Sequence, residues 1–245
     1  MFNNLKSDGL EQSEDRLGGG FILDTDAYDT TIKLAYGIES TQGAKGVVLV
    51  TEVGGREYRE TIYVTNRAGE NFFLNKDDKT KKVPLPGFTV IDDICLCATG
   101  TSLSEQPVEE KTVKIYDYDE KKELPKSVPV LVELLGKPVT LGIFKNLENK
   151  SVKQGNDYVP TAETRLTNNI EKVFHTETKL TTAEARQGMS AGEFYDKWVE
   201  RNKGVERDRR TLKEGEAGKS GRPGGPPQAG GAAAGAAPKK SLFGK

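Results

Sequence analysis

Apolar and polar positions alternate through the first half of the chain. In TIKLAYGI, residues 31–38, Ile32, Leu34, Tyr36 and Ile38 share one side of an extended segment and Thr31, Lys33, Ala35 and Gly37 the other, because successive side chains of a strand point to opposite faces. GVVLVTEV (46–53) is a second β-rich run, and Gly54-Gly55 behind it is a two-residue hairpin signal. The third strand of this meander runs from about Glu57 to Asn66. Its even positions Tyr58, Ile62 and Val64 are assigned to the core. Its odd positions Arg59, Thr61, Tyr63 and Thr65 make a polar, basic face with one aromatic in its middle.

Further along, residues 71–75 predict a short strand and LPGF (85–88) a turn. TVIDDICLCATG (89–100) fits a buried helix or a strand, with Val90, Ile91 and Ile94 at helical spacing favouring the helix. KTVKIYDY (111–118) alternates again. VPVLVELLGK reads as a short apolar helix closed by Gly136, a residue suited to a left-handed cap, and KPVTLGIFKN (137–146) as a last strong strand. After Lys150 the spacing turns helical. Thr181 precedes Glu184 by three, and Ser190 precedes Glu193 by three, each a capping-box pattern. The second opens a helix on which Phe194 and Trp198 share a docking face.

The predicted architecture is mainly β with added helices. A flexible leader (1–20) precedes an OB-fold-like five-stranded barrel (21–150), with an open β-sandwich as the alternative. A C-terminal helical extension (151–203) packs on the barrel. A disordered Gly/Ala/Pro-rich basic tail (204–245), too poor in apolar residues to fold, ends in the tip KKSLFGK.

Charge refines this picture. The total is near neutral, yet from Glu200 onward 11 Lys and Arg stand against 5 Asp and Glu, and the rest of the chain carries 25 against 32. An acidic body with a basic tail is not built like a uniformly basic duplex binder, so any nucleic-acid site must be a local groove. Two cysteines, Cys95 and Cys97, and the single His175 provide neither a disulfide framework nor a structural zinc set. No signal-peptide core and no membrane-length apolar run occur, so a soluble protein of a reducing cytoplasm, with no membrane partner, is expected.

Catalytic motifs are missing: no Walker A sequence, no dinucleotide fingerprint and no nucleophile elbow. Asp24, Asp26, Asp29, Asp92 and Asp93 could gather round a cation, but their spacing matches no calcium loop, and turns and caps account for them. No enzyme activity, cofactor or metal is expected. The features that remain suit single-stranded nucleic acid, whose bases stack on aromatic rings while cations track the phosphates. Tyr63, Phe72 or Phe73, and Tyr116 are the stacking candidates. Arg56, Arg59, Arg67, Lys76, Lys111 and Lys114 are the phosphate candidates. Adjacent Phe72 and Phe73 cannot both point inward from a strand. Lys239, Lys240, Leu242, Phe243 and Lys245 make the tail tip a basic, apolar tethered ligand for a partner.

The runs NFFLNKDDKTKKVPLPGF, DDICLCATGTSLSEQ, EEKTVKIYDYDEKKELPKSVPVLVELLGKPVTLGIFKN and DYVPTAETRLTNNIEKVFH, with the terminal KKSLF, resemble the single-stranded DNA-binding proteins of tailed bacteriophages, the podovirus type in particular. The resemblance spans roughly residues 20–200 plus the tip. It implies an OB fold that coats single strands in replication, recombination or repair in the cytoplasm of an infected bacterium, without catalysis. It also implies a C-terminus for partners, with replication or recombination proteins or RNA polymerase as the expected ones. The tip here is basic, where such proteins commonly carry an acidic one. A non-enzymatic structural or adaptor protein of the virion and a metal-dependent nuclease are the competing readings.

Overall fold

The computed structural model describes residues 21–117, 120–155 and 157–212. The expected leader, Tyr118, and the tail beyond residue 212, including Lys239, Lys240, Leu242, Phe243 and Lys245, lie outside these residues. In chain order the described residues form β1 (Asp26–Glu39), β2 (Lys45–Val53), β3 (Arg56–Tyr63), β4 (Phe72–Leu74), β5 (Lys82–Pro84), α1 (Pro86–Thr99), β6 (Val108–Asp117), β7 (Lys122–Leu131), β8 (Pro138–Gln154), β9 (Asp157–Phe174), α2 (Thr182–Arg186), α3 (Phe194–Asn202) and β10 (Glu206–Asp208). The protein is thus mainly β, with an open sheet of antiparallel strands and few helices. The chain divides into two compact units. One comprises residues 21–146 and 166–208, the other residues 147–165 and 209–212.

In the first unit, β1 is the branch point of the sheet. One edge pairs with β2 from Thr31↔Glu52 to Glu39↔Lys45, and β2 continues to β3 through Gly54 and Gly55, both at positive φ as their hairpin turn requires. The other edge of β1 is shared. Residues 26–31 pair with β8, and Tyr36 pairs with Val130 of β7. A 3₁₀ turn at Val132–Leu134 and Gly136, at φ +74°, carry the chain from β7 to β8 along that edge. β6 pairs with β7, β9 with β8, and β4 with β5 in a separate two-stranded sheet.

Three apolar clusters hold this unit together. The largest lies between the sheet and α1 and includes Ile32, Leu49, Tyr58, Ile62, Ile91, Ile94, Leu141, Ile143 and Val173. Tyr36, Val48, Val50, Val128 and Val130 form a second. Phe144, Phe174 and Trp198 form the third. β2 is buried on both faces, with Val47 and Leu49 in the first cluster and Val48 and Val50 in the second. β8 shows the same two-sided burial: Leu141 and Ile143 turn toward α1, and Phe144 toward Trp198.

Helix α1 begins at the predicted LPGF turn. Leu85 is the extended N-cap and Pro86 opens the first turn, where a missing N–H removes no hydrogen bond and a fixed φ favours the helix. Gly100 ends it in the left-handed conformation, donating its N–H to Leu96 O at 3.0 Å. A Cβ on Gly87 would stand 2.1 Å from Tyr63 O, so glycine is what lets this first turn seat on the end of β3.

Several expectations are corrected. Ile32, Leu34, Tyr36 and Ile38 do not share a face: a register shift between Ile32 and Leu34 sends Ile32 and Ala35 into the first cluster and leaves Leu34, Tyr36 and Ile38 with the second. VPVLVELLGK is the end of β7 and a 3₁₀ turn, not a helix. Pro129 would break a helix interior, whereas in β7 it lies beside Gly37, whose missing side chain leaves it room. The helical extension expected from residue 151 starts only at Thr182, because residues 157–174 form the long strand β9. The expected disordered tail likewise starts too early, since Glu206–Asp208 form β10.

Ser190 does not cap α3. The N-cap is Glu193, and the N–H groups of Glu193 and Phe194 donate to the Glu184 carboxylate at 2.9 and 2.7 Å. The capping box of Thr181 and Glu184 does form.

In the second unit, the β8–β9 turn passes through Gly155 at φ +62°. The Asn149 side chain accepts the N–H groups of Thr211 and Leu212 at 2.8 and 2.9 Å, and Lys150 pairs with Glu163 at 3.0 Å.

Candidate nucleic-acid interface

Strand register decides which candidate residues share a surface, because directly opposed residues of an antiparallel ladder lie on one face. The row Thr61–Val48–Tyr36–Val130–Glu109 crosses β3, β2, β1, β7 and β6. Arg59 and Tyr63, two positions either side of Thr61, and Lys111, two positions from Glu109, therefore belong to this face. Lys114 and Tyr116, at odd offsets from Glu109, belong to the opposite one. The sequence grouped all of these candidates; the register separates them.

The β3 side chains follow the expected split. Tyr58, Ile62 and Val64 are buried, whereas Arg59, Thr61 and Tyr63 are exposed. The Tyr63 ring lies against Gly46, its cross-strand neighbour, where an added Cβ would sit 3.1 Å from the ring, and 47% of the residue remains open to solvent. Beside this stripe, Tyr36, Val48 and Val50 form a buried apolar floor. Burial raises the pKa of the Tyr36 hydroxyl, and the charge of nearby Arg59 offsets part of that rise. Arg59 is paired with Glu57 at 3.2 Å and Lys111 with Glu109 at 3.3 Å, both at exposed positions. Such pairs contribute about 0–1 kcal/mol, so a phosphate can replace either carboxylate at little cost.

The remaining candidates are dispersed. Arg67 is exposed in the turn after β3, with its carbonyl against Gly43 of the β1–β2 loop. Arg56 stacks on Phe21, its guanidinium 5.1 Å from the ring centroid. Phe72 and Phe73 open the β4 hairpin, and neither is fully buried: Lys82 lies 4.2 Å over the Phe72 ring, while Phe73 is exposed. Lys76 is exposed at the hairpin tip, where Asn75 Oδ1 accepts the N–H of Asp77 at 2.8 Å. That hairpin leads directly into α1, whose first turn touches Tyr63.

The aspartates considered as cation ligands are otherwise engaged. Asp24 pairs with Lys145 and Asp26 with Lys203. Burial works against the Asp29 carboxylate, yet Lys179 and Thr140 hold its pKa below the usual value. Asp92 accepts the N–H of Leu103 at 2.8 Å, and Asp93, its pKa raised by burial, accepts the Thr182 hydroxyl at 2.6 Å. No group of three or more potential ligands gathers among the described residues. A cavity of about 470 Å³ between the end of α1 and α2 is lined by Leu96, Cys97, His175, Leu180 and Ala185. Burial pushes the Cys97 thiol up to about 12, so it is protonated at neutral pH.

Sequence reasoning missed the apolar floor beneath the candidate face and the Phe21–Arg56 stack. The floor had a signal in the unbroken run Val47–Val50, which exceeds what one buried face needs. No family model matches the chain, and a search of curated proteins finds no match. No helix among the described residues is long and apolar enough to cross a membrane.

Proposed function

We propose that this protein binds single-stranded DNA with little sequence preference and coats it during phage replication, recombination or repair. The observation that carries the reading is the Arg59–Thr61–Tyr63 stripe, an exposed aromatic between a cation and the turn bearing Arg67, on one face of an antiparallel meander. A base stacks on Tyr63, and Arg59 with Lys111 meets the phosphates from the same face. Phe73 offers a second platform on the β4–β5 hairpin, which leads into the α1 turn seated against Tyr63. Lys114 and Tyr116 take no part in this face.

Strand connectivity supports the OB assignment within this proposal. The path β3-β2-β1-β8-β9, with α1 between β3 and β8, follows the OB strand order, the β4–β5 and β6–β7 hairpins being insertions. Near where such a barrel closes, the N–H of Ile170 on β9 donates to the Glu60 carboxylate of β3 at 2.8 Å, and Tyr58 donates to the same group at 2.7 Å. The likeness of the sequence to phage single-stranded DNA-binding proteins points the same way.

A fluorescence-anisotropy titration of a labelled thymidine 30-mer against a duplex of equal length tests the proposal. Single strands should bind more tightly, with log affinity falling against log salt at about −0.7 per phosphate neutralised. Tyr63→Ala should weaken binding by about 1–3 kcal/mol, roughly 5- to 150-fold. Equal affinity for duplex, salt-independent binding or an unchanged Tyr63→Ala constant would each overturn it. Magnesium-dependent cleavage of the strand would replace it with the nuclease reading.

A further inference from the structure

The cavity of about 470 Å³ beside α1 is lined by none of the residues assigned to the DNA face. Three elements of the first unit enclose it: the last turn of α1 with Leu96 and Cys97, the 175–181 turn with Leu180, and α2 with Ala185. Bonds made outside the cavity hold these walls in place. The Thr182 hydroxyl donates to Asp93 of α1 at 2.6 Å, and the Thr181–Glu184 capping box fixes the start of α2. A Cβ added at Gly100, which also lines the cavity, would meet no atom within 4 Å, so the space beside this helix end is open. Leu96 and Leu180 are only partly buried and Ala185 is exposed, so among the described residues this apolar surface stays uncovered.

Arg186 is the lining residue that carries a permanent charge, and it is exposed. Its guanidinium makes no hydrogen bond or ion pair among the described residues. The acidic side chains of the neighbouring turn of α1 are engaged elsewhere, Asp93 by Thr182 and Asp92 by the N–H of Leu103 at 2.8 Å. His175, also in the wall, supplies a donor. Thr178 gives its N–H to Nδ1 at 3.3 Å, which leaves the ring proton on Nε2.

We propose that this cavity binds a free medium-chain fatty acid, its acyl chain against Leu96, Leu180 and Ala185 and its carboxylate on Arg186. A concave site with apolar walls and a few polar groups is the usual form of a small-molecule pocket. A guanidinium fork meets a planar carboxylate with two parallel hydrogen bonds. A phosphate monoester would bring a second charge that one guanidinium does not answer. This site stands apart from the DNA-binding reading and does not depend on it.

Isothermal titration calorimetry of the full-length chain with decanoate, kept below its micelle concentration, should show saturable binding of one molecule per chain. Decanol, with the same chain and no charge, should bind roughly fivefold more weakly. Arg186→Ala should abolish that difference by weakening decanoate alone. Ala185→Phe fills the cavity from an exposed helix position and should weaken both ligands roughly tenfold or more. Decanoate should also slow alkylation of Cys97 by iodoacetamide, read by mass spectrometry, because the thiol shares the cavity wall. Absence of saturable decanoate binding would overturn the proposal. So would equal affinities for decanoate and decanol, a difference that survives Arg186→Ala, or constants that Ala185→Phe leaves unchanged. Binding to anionic phospholipid vesicles without binding to decanoate would also overturn it, in favour of a membrane surface.

Discussion

Trp198→Ala should destabilise the protein by about 3–5 kcal/mol, the range for truncating a large buried aromatic. The indole is 7% exposed and meets Phe144 and Phe174 edge-on, at centroid separations of 5.4 and 6.1 Å. It rests on Gly142 of β8, where an added Cβ would come within 2.9 Å of its Cζ2. Trp198 is thus the contact through which α3 covers the outer face of β8. The consequences extend beyond the helix. Asn202 donates to Trp198 O at 2.7 Å, and Gly204, just past the helix, donates to Thr25 O at 2.8 Å. Losing the anchor therefore loosens the start of β1 as well.

At about 2–4 °C per kcal/mol for chains of 150–250 residues, calorimetry should show a fall in Tm of roughly 6–20 °C. Gly142→Ala gives an independent check that keeps the probe. Trp198 is the sole tryptophan, so displacing it should red-shift the native fluorescence. An unshifted spectrum with an unchanged Tm would show that the indole is not seated on Gly142.

Glu184→Ala is expected to cost about 3 kcal/mol, because one carboxylate serves two helix starts and its removal strands several donors. It accepts the N–H and hydroxyl of Thr181 at 2.9 and 3.0 Å, and the N–H groups of Glu193 and Phe194. Burial alone would raise its pKa, but the donors from Thr181, Phe194 and Glu193 outweigh burial and lower it from 4.5. A carboxyl with a depressed folded pKa contributes stability above its unfolded pKa and loses it as pH falls through the folded value. The Tm difference between the natural protein and Glu184→Gln should therefore be full at neutral pH and close as pH drops below about 4.5. Thermal scans from pH 7 to pH 3 measure it. A gap that stays constant across that range would show that the ionised form is not what holds α2 and α3 together.

The two carboxylates at capping-box spacing show how far local patterns reach. Thr181-x-x-Glu184 is satisfied by residues three apart, and the structure contains it. Ser190-x-x-Glu193 has the same spacing, yet α3 takes its cap from Glu184, ten residues before Phe194. At the intervening Gly192, a Cβ would fall 2.1 Å from Lys179 O, so that backbone is pressed against the 175–181 turn. A distant acceptor outcompeted a local one because the segments between them fold back on each other.

The candidate face divides in the same way. Period-two alternation in β3 was sufficient to separate Tyr58 and Ile62 from Arg59 and Tyr63, since every second side chain of a strand faces one way whatever lies beyond it. Grouping Tyr63 with Tyr116 required knowing how many ladders, and in what register, connect β3 to β6. Those ladders join residues far apart in the chain, and the end of β7, which completes them, was read as part of the short apolar helix VPVLVELLGK.

From residues near one another in sequence came the β1–β2–β3 meander, the Gly54-Gly55 turn, the helical spacing of Val90, Ile91 and Ile94 that favoured α1, and the polar stripe on β3. Dihedral preference and side-chain period act over a few positions, and these features need nothing more. Tertiary structure alone decided the bulge that turns Ile32 away from Leu34, the strand β9 in a segment read from sequence as helical, the sharing of one β1 edge between β7 and β8, and the second use of Glu184. Each of these depends on hydrogen bonds and apolar burial supplied from elsewhere in the chain, and such partners override weak local preference.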